Sequence, residues 1–467
     1  MMSDYNLLII GAGPGGYVAA IHAAQLGLKV GVIEKAEIGG TCLNQGCIPT
    51  KALISTAQIL DKLQQAAELG IEIQGTIKPD FAKMLTRKNK VVSINVNGIK
   101  SLFKSYSIEL IRGNGRFINP QTISVTLPDG TSKPITADKF IIATGSRPSD
   151  LPNLAIDNQD IISSDGALNL PELPNRMLIV GAGVIGCEFA FLFQTLGVQV
   201  TVVELMPRPL ITEDEEISQL IDRQFKKKKI TLITNTQVTA VKKLESGAMV
   251  AELANGTTIE VDKILVSVGR KVNTDNLGLA ELGIALSKKG AIIVNEYMET
   301  NIPGIYAIGD VIGKLMLAHI ASAEGMVAAE NATGKKRAMD YRVAPWGVFT
   351  NPEIGHVGLT EKEAVEQGYQ VSIGRFPFRA LGKAHAVNEI EGLVKLVVDS
   401  HTDQILGAHI FGAHATELIH ELAAAMQFEA GATDLGRLIH THPTFSEAIA
   451  EAAHDVHQSA IHLPKKT

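Results

Sequence analysis

The chain contains one unit twice, and this repeat narrows the choice of folds more than any other feature of the sequence. Tyr5–Ile10 reads as a short apolar strand running into Gly11-Ala12-Gly13-Pro14-Gly15-Gly16. A helix of small residues follows, then a second strand over 29–33 that ends at Glu34. Residues 177–180 repeat the first strand, and Gly181-Ala182-Gly183-Val184-Ile185-Gly186 repeats the turn. Gln199–Val203, ending at Glu204, repeats the second strand and its acid. The acid follows the first glycine at the same offset in both copies. Each copy also closes alike, with DKFIIATG at 138–145 and DKILVSVG at 262–269, both apolar strands ending in glycine.

The residue types explain what such a unit does. The first glycine makes the strand-to-helix turn, the second lets backbone approach a pyrophosphate, and the third lets helix and strand pack closely. The helix N-terminus presents free N–H groups and a positive dipole end to the phosphates, and the acid accepts hydrogen bonds from ribose hydroxyls. A lone glycine motif would be weak evidence. Two copies with matched strands and acids predict an α/β chain with two Rossmann-like dinucleotide-binding domains. A carboxylate at Glu204 would repel a ribose phosphate, which favours NAD over NADP in the second unit. Arg208, four residues on, is positioned in sequence to soften that repulsion.

Bulk properties bound the rest. At 467 residues the chain exceeds what one core supports. Its formal net charge of -6 argues against a nucleic-acid binder. The basic run Arg87-Lys88-Asn89-Lys90 is expected to be a solvated helix face. No apolar run reaches the roughly 18 residues of a membrane span, and no secretory signal precedes the first strand. The three cysteines, Cys42, Cys47 and Cys187, are too few for a secreted disulfide framework, so a cytoplasmic, reducing compartment is expected. Cys187, on the helix after the second glycine turn, is expected to be a small buried hydrophobe.

The close pair of cysteines is the candidate reactive centre. On an ideal helix Cys42 and Cys47 would have Cα atoms roughly 8.7 Å apart, beyond the ~7 Å limit for a disulfide. If they bond, the backbone between them must be distorted, and Asn44 and Gly46 tolerate this. A broken turn at 44–46 is therefore expected. Zinc is the competing reading, but a structural site needs four ligands and none are supplied nearby. An inert pair is the third alternative. No metal site is expected; His409, His414 and His420 lie in a strand-to-helix pattern.

At GGTCLNQGCIPTKALI the chain resembles the pyridine nucleotide–disulfide oxidoreductases, a similarity that runs from the first glycine turn to HTHPTFSE near the C-terminus. The resemblance implies an FAD domain, an inserted NAD domain and a C-terminal α+β dimerisation domain of a homodimer. Its implied segments are 1–147 and 274–340 for FAD, 148–273 for NAD, and 341–467 for the interface. The last reads as strands over 392–398 and 405–411, with helices from Ala415 and Thr444. The implied FAD contacts are Gly11, Gly13, Pro14, Gly15, Gly16, Glu34, Lys35, Gly40, Thr41, Lys51, Gly115, Thr144, Gly145 and Ser146. They continue with Asp310 in NIPGIYAIGD and with Leu317, Ala318 and His319 at the start of a helix. Those for NAD are Gly181, Gly183, Val184, Ile185, Gly186, Glu204, Val238 and Gly269.

The resemblance also implies the chemistry. Cys42 would exchange with a substrate thiol and Cys47 would face the flavin, with Lys51 and Glu188 as an ion pair beside it. His442, oriented by Glu447, would be the acid/base that reaches the partner subunit's cysteines, and His440 would be structural. An imidazole suits this task because only a thiolate attacks a disulfide, and a neighbouring carboxylate stabilises the imidazolium. Within the family the wording is most similar to the branch that oxidises dihydrolipoyl groups. Those groups would be carried on acyltransferase or carrier proteins of 2-oxo acid dehydrogenase or glycine-cleavage complexes. No lipoyl-bearing domain precedes the first strand, so the lipoyl group is expected on a separate protein. The alternatives are a glutathione-type or mercuric-type disulfide reductase, a flavoprotein transhydrogenase or oxidase, and a non-catalytic flavin scaffold. Neither a nucleic-acid nor a membrane partner is expected.

Overall fold

Apolar runs with both faces buried become parallel strands once helices cover the two sides, and both units fold this way. The structure, a computed structural model, describes residues 3–465; Met1 and Thr467, the outer bounds of the expected segments, lie outside the described residues. In the first unit Glu109–Arg112, Val30–Glu34, Tyr5–Ile10, Ser132–Ile142 and Ile305–Ala307 lie side by side, parallel at every pairing. In the second, Thr231–Ile233, Gln199–Val203, Arg176–Val180, Lys263–Val266 and Ile161–Ile162 repeat the arrangement. Each unit inserts an antiparallel excursion before its fourth strand, made of Asn114–Asn119 and Thr122–Thr126 in one. Val238–Lys243, Met249–Leu253 and Thr258–Val261 form it in the other.

The last strand of the first sheet arrives after the whole second unit. Ile305 pairs with Phe140 and Ala307 with Ile142, so the chain leaves this sheet and comes back to it. Its two crossings run side by side as an antiparallel ribbon, Ser146–Pro148 against Arg270–Val272. Thr144 and Asn273 brace the ribbon: Thr144 Oγ1 donates to the Asn273 carbonyl at 2.7 Å, and Asn273 Nδ2 returns to the Thr144 carbonyl at 3.0 Å.

The C-terminal part is an antiparallel sheet in the order Trp346–Val348, Glu353–Gly358, Ile405–Gly412, Gly392–Asp399, Val371–Pro377. Helices Ala415–Gln427 and Glu447–Val456 pack on it. The helix expected from Thr444 starts three residues later. Thr444 Oγ1 donates to the Thr441 carbonyl at 2.7 Å and its N–H to Glu447 at 2.8 Å, which holds 444–446 in a turn.

Register places Trp346, His356, His409, Lys395 and Arg375 opposite one another across all five strands. This row meets acidic residues at the start of helix Glu215–Lys227 of the second unit. His356 Nδ1 pairs with Glu213 at 2.7 Å, Lys395 Nζ with both oxygens of Asp214 at 2.9 Å, and Arg375 Nε with Glu216 at 2.8 Å. Glu361 also reaches Lys395, at 2.8 Å.

The basic run on helix Phe81–Ser105 is exposed at Arg87, Asn89 and Lys90, as expected, and departs from that solvation only at Lys88. Lys88 is buried, and its ammonium donates to the Leu168 carbonyl at 2.7 Å and Asn169 Oδ1 at 3.0 Å. Spacing places Lys88 on the helix face that carries the buried Phe81 and Met84, so a long stem reaches inward to polar acceptors.

Candidate active site

Helix Gly40–Gln45 ends and helix Cys47–Gln64 begins on either side of Gly46, so the chain breaks between the two cysteines. A Cβ at Gly46 would sit 3.1 Å from the Thr41 carbonyl oxygen and 3.3 Å from Cys42 Cα, so a glycine lets the second helix start this close to the first without crowding. Asn44 Nδ2 fastens the short helix to the Ile38 and Gly40 carbonyls, at 3.0 and 2.9 Å.

The break brings the two sulfurs face to face. The Cys42 thiol is directed at Cys47, and that hydrogen bond, together with burial, pushes the Cys42 pKa up. The same hydrogen bond lowers Cys47 to about 7; burial and the Glu188 charge work against the shift and the Lys51 ammonium works with it. Cys47 is also the first residue of its helix, where free N–H groups favour an anion. The Lys51 ammonium and the helix start both favour a thiolate at Cys47. Lys51 Nζ sits 2.8 Å from each oxygen of Glu188, whose side chain is buried on helix Val184–Thr195.

The glycine turns are built alike in both units and leave the same opening. A Cβ on Gly11 or Gly181 would strike the carbonyl of Ala143 or Ser267, at 2.3 and 2.7 Å, and both glycines hold positive φ. A Cβ on Gly16 or Gly186 would strike the carbonyl of the turn's first glycine at 1.9 Å. Gly183, in contrast, has open space where a Cβ would be, and a Cβ on Gly13 would meet only Gly40 Cα, in ordinary contact at 3.9 Å; both cap their helices without any side-chain bond. Backbone N–H groups at both helix starts are thus free to take a pyrophosphate. Glu34 accepts from Ala12 and Ala36 N–H at 2.7 and 2.8 Å, and Glu204 from Ala182 and Met206 N–H at 2.5 and 2.8 Å. Two carboxylate oxygens still carry unused lone pairs for ribose hydroxyls.

Other expected contacts gather around these turns. A Cβ on Gly40 would come within 2.6 Å of Gly13 Cα, so the cysteine helix starts directly against the first turn, with Thr41 half-buried. Gly15 approaches the Ala321 carbonyl of helix Ala318–Ala332, whose start is marked by Leu317, Ala318 and His319; His319 bonds to the Pro345 carbonyl. Asp310 accepts a hydrogen bond from Ser146, and Arg270 Nε lies 3.7 Å away. Gly145 and Gly269 take positive φ at the ends of their strands. Gly115 and Val238 are buried, and Lys35 is exposed. Arg208 turns away from Glu204: its guanidinium donates to the carbonyls of Leu210, Ile211 and Glu213 at 3.1–3.3 Å.

His442 and Glu447 form a separate pair, Nδ1 to Oε1 at 2.9 Å. Burial would raise the Glu447 pKa, but the Thr444 N–H and His442 outweigh it and hold the carboxyl below its ordinary range. Among the described residues no hydrogen bond links this pair to Cys42 or Cys47. His440 bonds to Glu421 and the Leu438 carbonyl, and His409 to the Leu359 carbonyl. Cys187 is fully buried, its thiol on the Ala182 carbonyl.

Sequence reasoning missed two residues here. Glu324, fully buried, accepts from Gly309 N–H and Tyr341 OH at 2.6 Å each and so shapes the Asp310 turn. An acid among small residues on a buried helix was the available signal. Phe349 touches both Lys51 and Glu188, and nothing in its spacing announces it.

Residues 5–325 match the pyridine nucleotide-disulphide oxidoreductase pattern, and 344–453 match the dimerisation domain of the same group. The chain belongs to this family. Family members use FAD and NAD. Among similar curated proteins, a dihydrolipoyl dehydrogenase of Bacillus subtilis is 44% identical, covering 99% of this chain and 100% of that protein. A mitochondrial dihydrolipoyl dehydrogenase of Pisum sativum is 42% identical over 99% of this chain and 93% of its own. Among solved structures of the family, LpdA of Mycobacterium tuberculosis superposes with a TM-score of 0.90 at 28% identity, covering 96% of this chain and 99% of that one. The flavoprotein disulfide reductase RclA of Escherichia coli gives 0.87 at 30% identity, covering 97% and 99%.

Proposed function

We propose that this chain is a dihydrolipoyl dehydrogenase, oxidising dihydrolipoyl groups on acyltransferase or carrier proteins and reducing NAD, as a homodimer. The observation that carries the reading is the helix break at Gly46, which sets Cys47 at a helix start beside Lys51 and faces Cys42 toward it. It sits in a chain similar over its full length to proteins named for that activity.

The division into 1–147 with 274–340, 148–273 and 341–467 is part of this reading, and the ribbon at Ser146–Pro148 and Arg270–Val272 supports it. The open turn at Gly13 with Glu34 and Asp310 would hold FAD, and that at Gly183 with Glu204 would hold NAD; both free helix starts fit a pyrophosphate. Sequestered Arg208 leaves Glu204 to discriminate against a ribose phosphate.

With Cys42 and Cys47 joined as a disulfide, His442 of the partner subunit takes a proton from one substrate thiol at Nε2, its Nδ1 being committed to Glu447. The thiolate attacks the Cys42 sulfur, the Cys42–Cys47 bond breaks, and Cys47 departs as a thiolate stabilised by Lys51 and the helix start. This order is the one the family resemblance implies, and the Lys51 ammonium beside the departing sulfur suits it. The second substrate thiol then displaces Cys42, which accepts a proton as the cyclic disulfide forms. FAD held at the Gly13 turn would supply the acceptor for the electron pair on the cysteines, and NAD held at the Gly183 turn would take that pair on as hydride. The test is a steady-state assay with dihydrolipoamide as donor and NAD as acceptor, beside NADH as donor with glutathione disulfide or oxygen as acceptor. Turnover confined to dihydrolipoamide is expected; equal or faster glutathione disulfide reduction would replace the reading with a glutathione-type reductase.

A further inference from the structure

The Lys51–Glu188 pair is gripped from a third direction. Strand Trp346–Val348 of the C-terminal sheet runs straight into Phe349, whose main-chain N–H donates to Glu188 Oε1 at 3.0 Å. The Lys51 ammonium lies over the Phe349 ring, 4.4 Å from its centroid. One residue therefore holds the anion by its amide and the cation by its ring. The loop that carries it is fastened as well. Thr350 Oγ1 donates to the Pro352 carbonyl at 2.6 Å, and Asn351 Nδ2 to Asp61 at 2.8 Å. Asp61 lies on helix Cys47–Gln64, the helix of Cys47 and Lys51, and is also paired with Lys228 of the second unit.

We propose that Phe349 is a positioning residue for the redox centre, fixing the Lys51 ammonium where it stabilises the thiolate that Cys47 becomes when the disulfide opens. The inference rests on the function proposed above and deepens it, because the poise of Cys47 is then set by the C-terminal domain as well as by the two nucleotide-binding units. Lys51 follows Cys47 by one helical turn, so their side chains share a face. A lysine stem has several rotamers of similar energy, and an unheld ammonium turns to water. An aromatic face competes with water for a partly desolvated cation, and Glu188 supplies the charge that keeps it in place. The groups acting on Cys47 are Cys42 and Lys51, which favour the thiolate, and Glu188, which opposes it. Withdrawing Lys51 leaves Glu188 the nearer charge.

The experiment uses the full-length cofactor-loaded protein with Cys42→Ser, which leaves Cys47 as the one thiol of the pair while Cys187 stays buried. The rate of Cys47 alkylation by iodoacetamide, read by peptide mass spectrometry, is followed against pH. Phe349→Leu keeps the main-chain amide and loses the ring, and its midpoint is expected to rise by about half to one pH unit. Phe349→Met, of similar bulk, is expected to shift likewise, and Phe349→Tyr to return the parent midpoint. Unmoved midpoints in the Leu and Met variants, or a Tyr variant displaced as far as they are, would overturn the proposal. Lys51→Met separates the two levels. If it leaves the midpoint unchanged, the role given to Lys51 in the proposed function fails. If it shifts while Phe349→Leu and Phe349→Met do not, only the role of Phe349 falls.

Discussion

The His442 side chain is 78% exposed, and with Nδ1 on Glu447 only Nε2 is left to meet a substrate proton. Replacing it by glutamine should cut dithiol turnover by about 10²–10⁴-fold, the usual contribution of a general base, while flavin absorbance and melting temperature stay put. Turnover within a factor of two of the parent would remove His442 from the chemistry. Gly46 makes a second prediction. Its missing Cβ clears the Thr41 carbonyl, so Gly46→Ala crowds the two helix ends by a few tenths of an ångström and should cost about 1 kcal/mol in a denaturant melt. At this scale the sequence was legible in part: a regular helix cannot bring sulfurs five residues apart into a bond, so a bonding pair needs a break, and Gly46 within 44–46 is where it falls. Lys88 and Phe349 were opaque because a charge pattern does not say which long stem turns inward, nor which distant loop arrives beside a lysine.

Between elements, the row Trp346, His356, His409, Lys395 and Arg375 joins the C-terminal sheet to helix Glu215–Lys227. Lys395 and Asp214 are both almost fully buried, so removing one partner strands a charge. Lys395→Met should therefore lower stability by about 3–5 kcal/mol, and adding Asp214→Leu should restore most of the loss. A calorimetric series in which the double variant is worse than the single one would contradict this. His409 carries the pH dependence. Burial pushes its pKa below the ordinary value, and the neighbouring His356 adds to this, while Asp214, Glu213 and the Leu359 carbonyl oppose it. The unfolded chain then binds the proton first as pH falls below about 6.5, so stability is full above that pH and is lost on descent through the folded pKa. Melting temperature should drop between pH 7 and 5, and His409→Asn should flatten the slope. The strands holding this row were partly readable from sequence, namely 392–398 and 405–411. Their register was not, because it depends on pairings between segments far apart in the chain.

At the scale of the molecule, duplication is what made the fold readable. Two copies of one pattern vouch for each other, and the sheets repeat even their antiparallel excursions. What one chain leaves incomplete is the junction of His442 with the cysteines. If each site draws its imidazole from the other subunit, homodimers of Cys42→Ser and of His442→Gln are each inactive. Subunit exchange between them should restore about a quarter of the parent rate, since half the dimers are mixed and each mixed dimer holds one intact site. No recovery after exchange, verified by native mass spectrometry, would place both groups in one subunit.

The ribbon of Ser146–Pro148 and Arg270–Val272 has one more consequence. Exit and re-entry lie hand in hand, so the second nucleotide-binding unit hangs from the first like a cassette on a two-stranded stem. Splicing a different module at that stem would leave every backbone bond of the first sheet in place. The graft would have to supply its own counterpart of Glu188, or Lys51 would lose its carboxylate at the seam, and of Asp214, or Lys395 would be left with Glu361 alone.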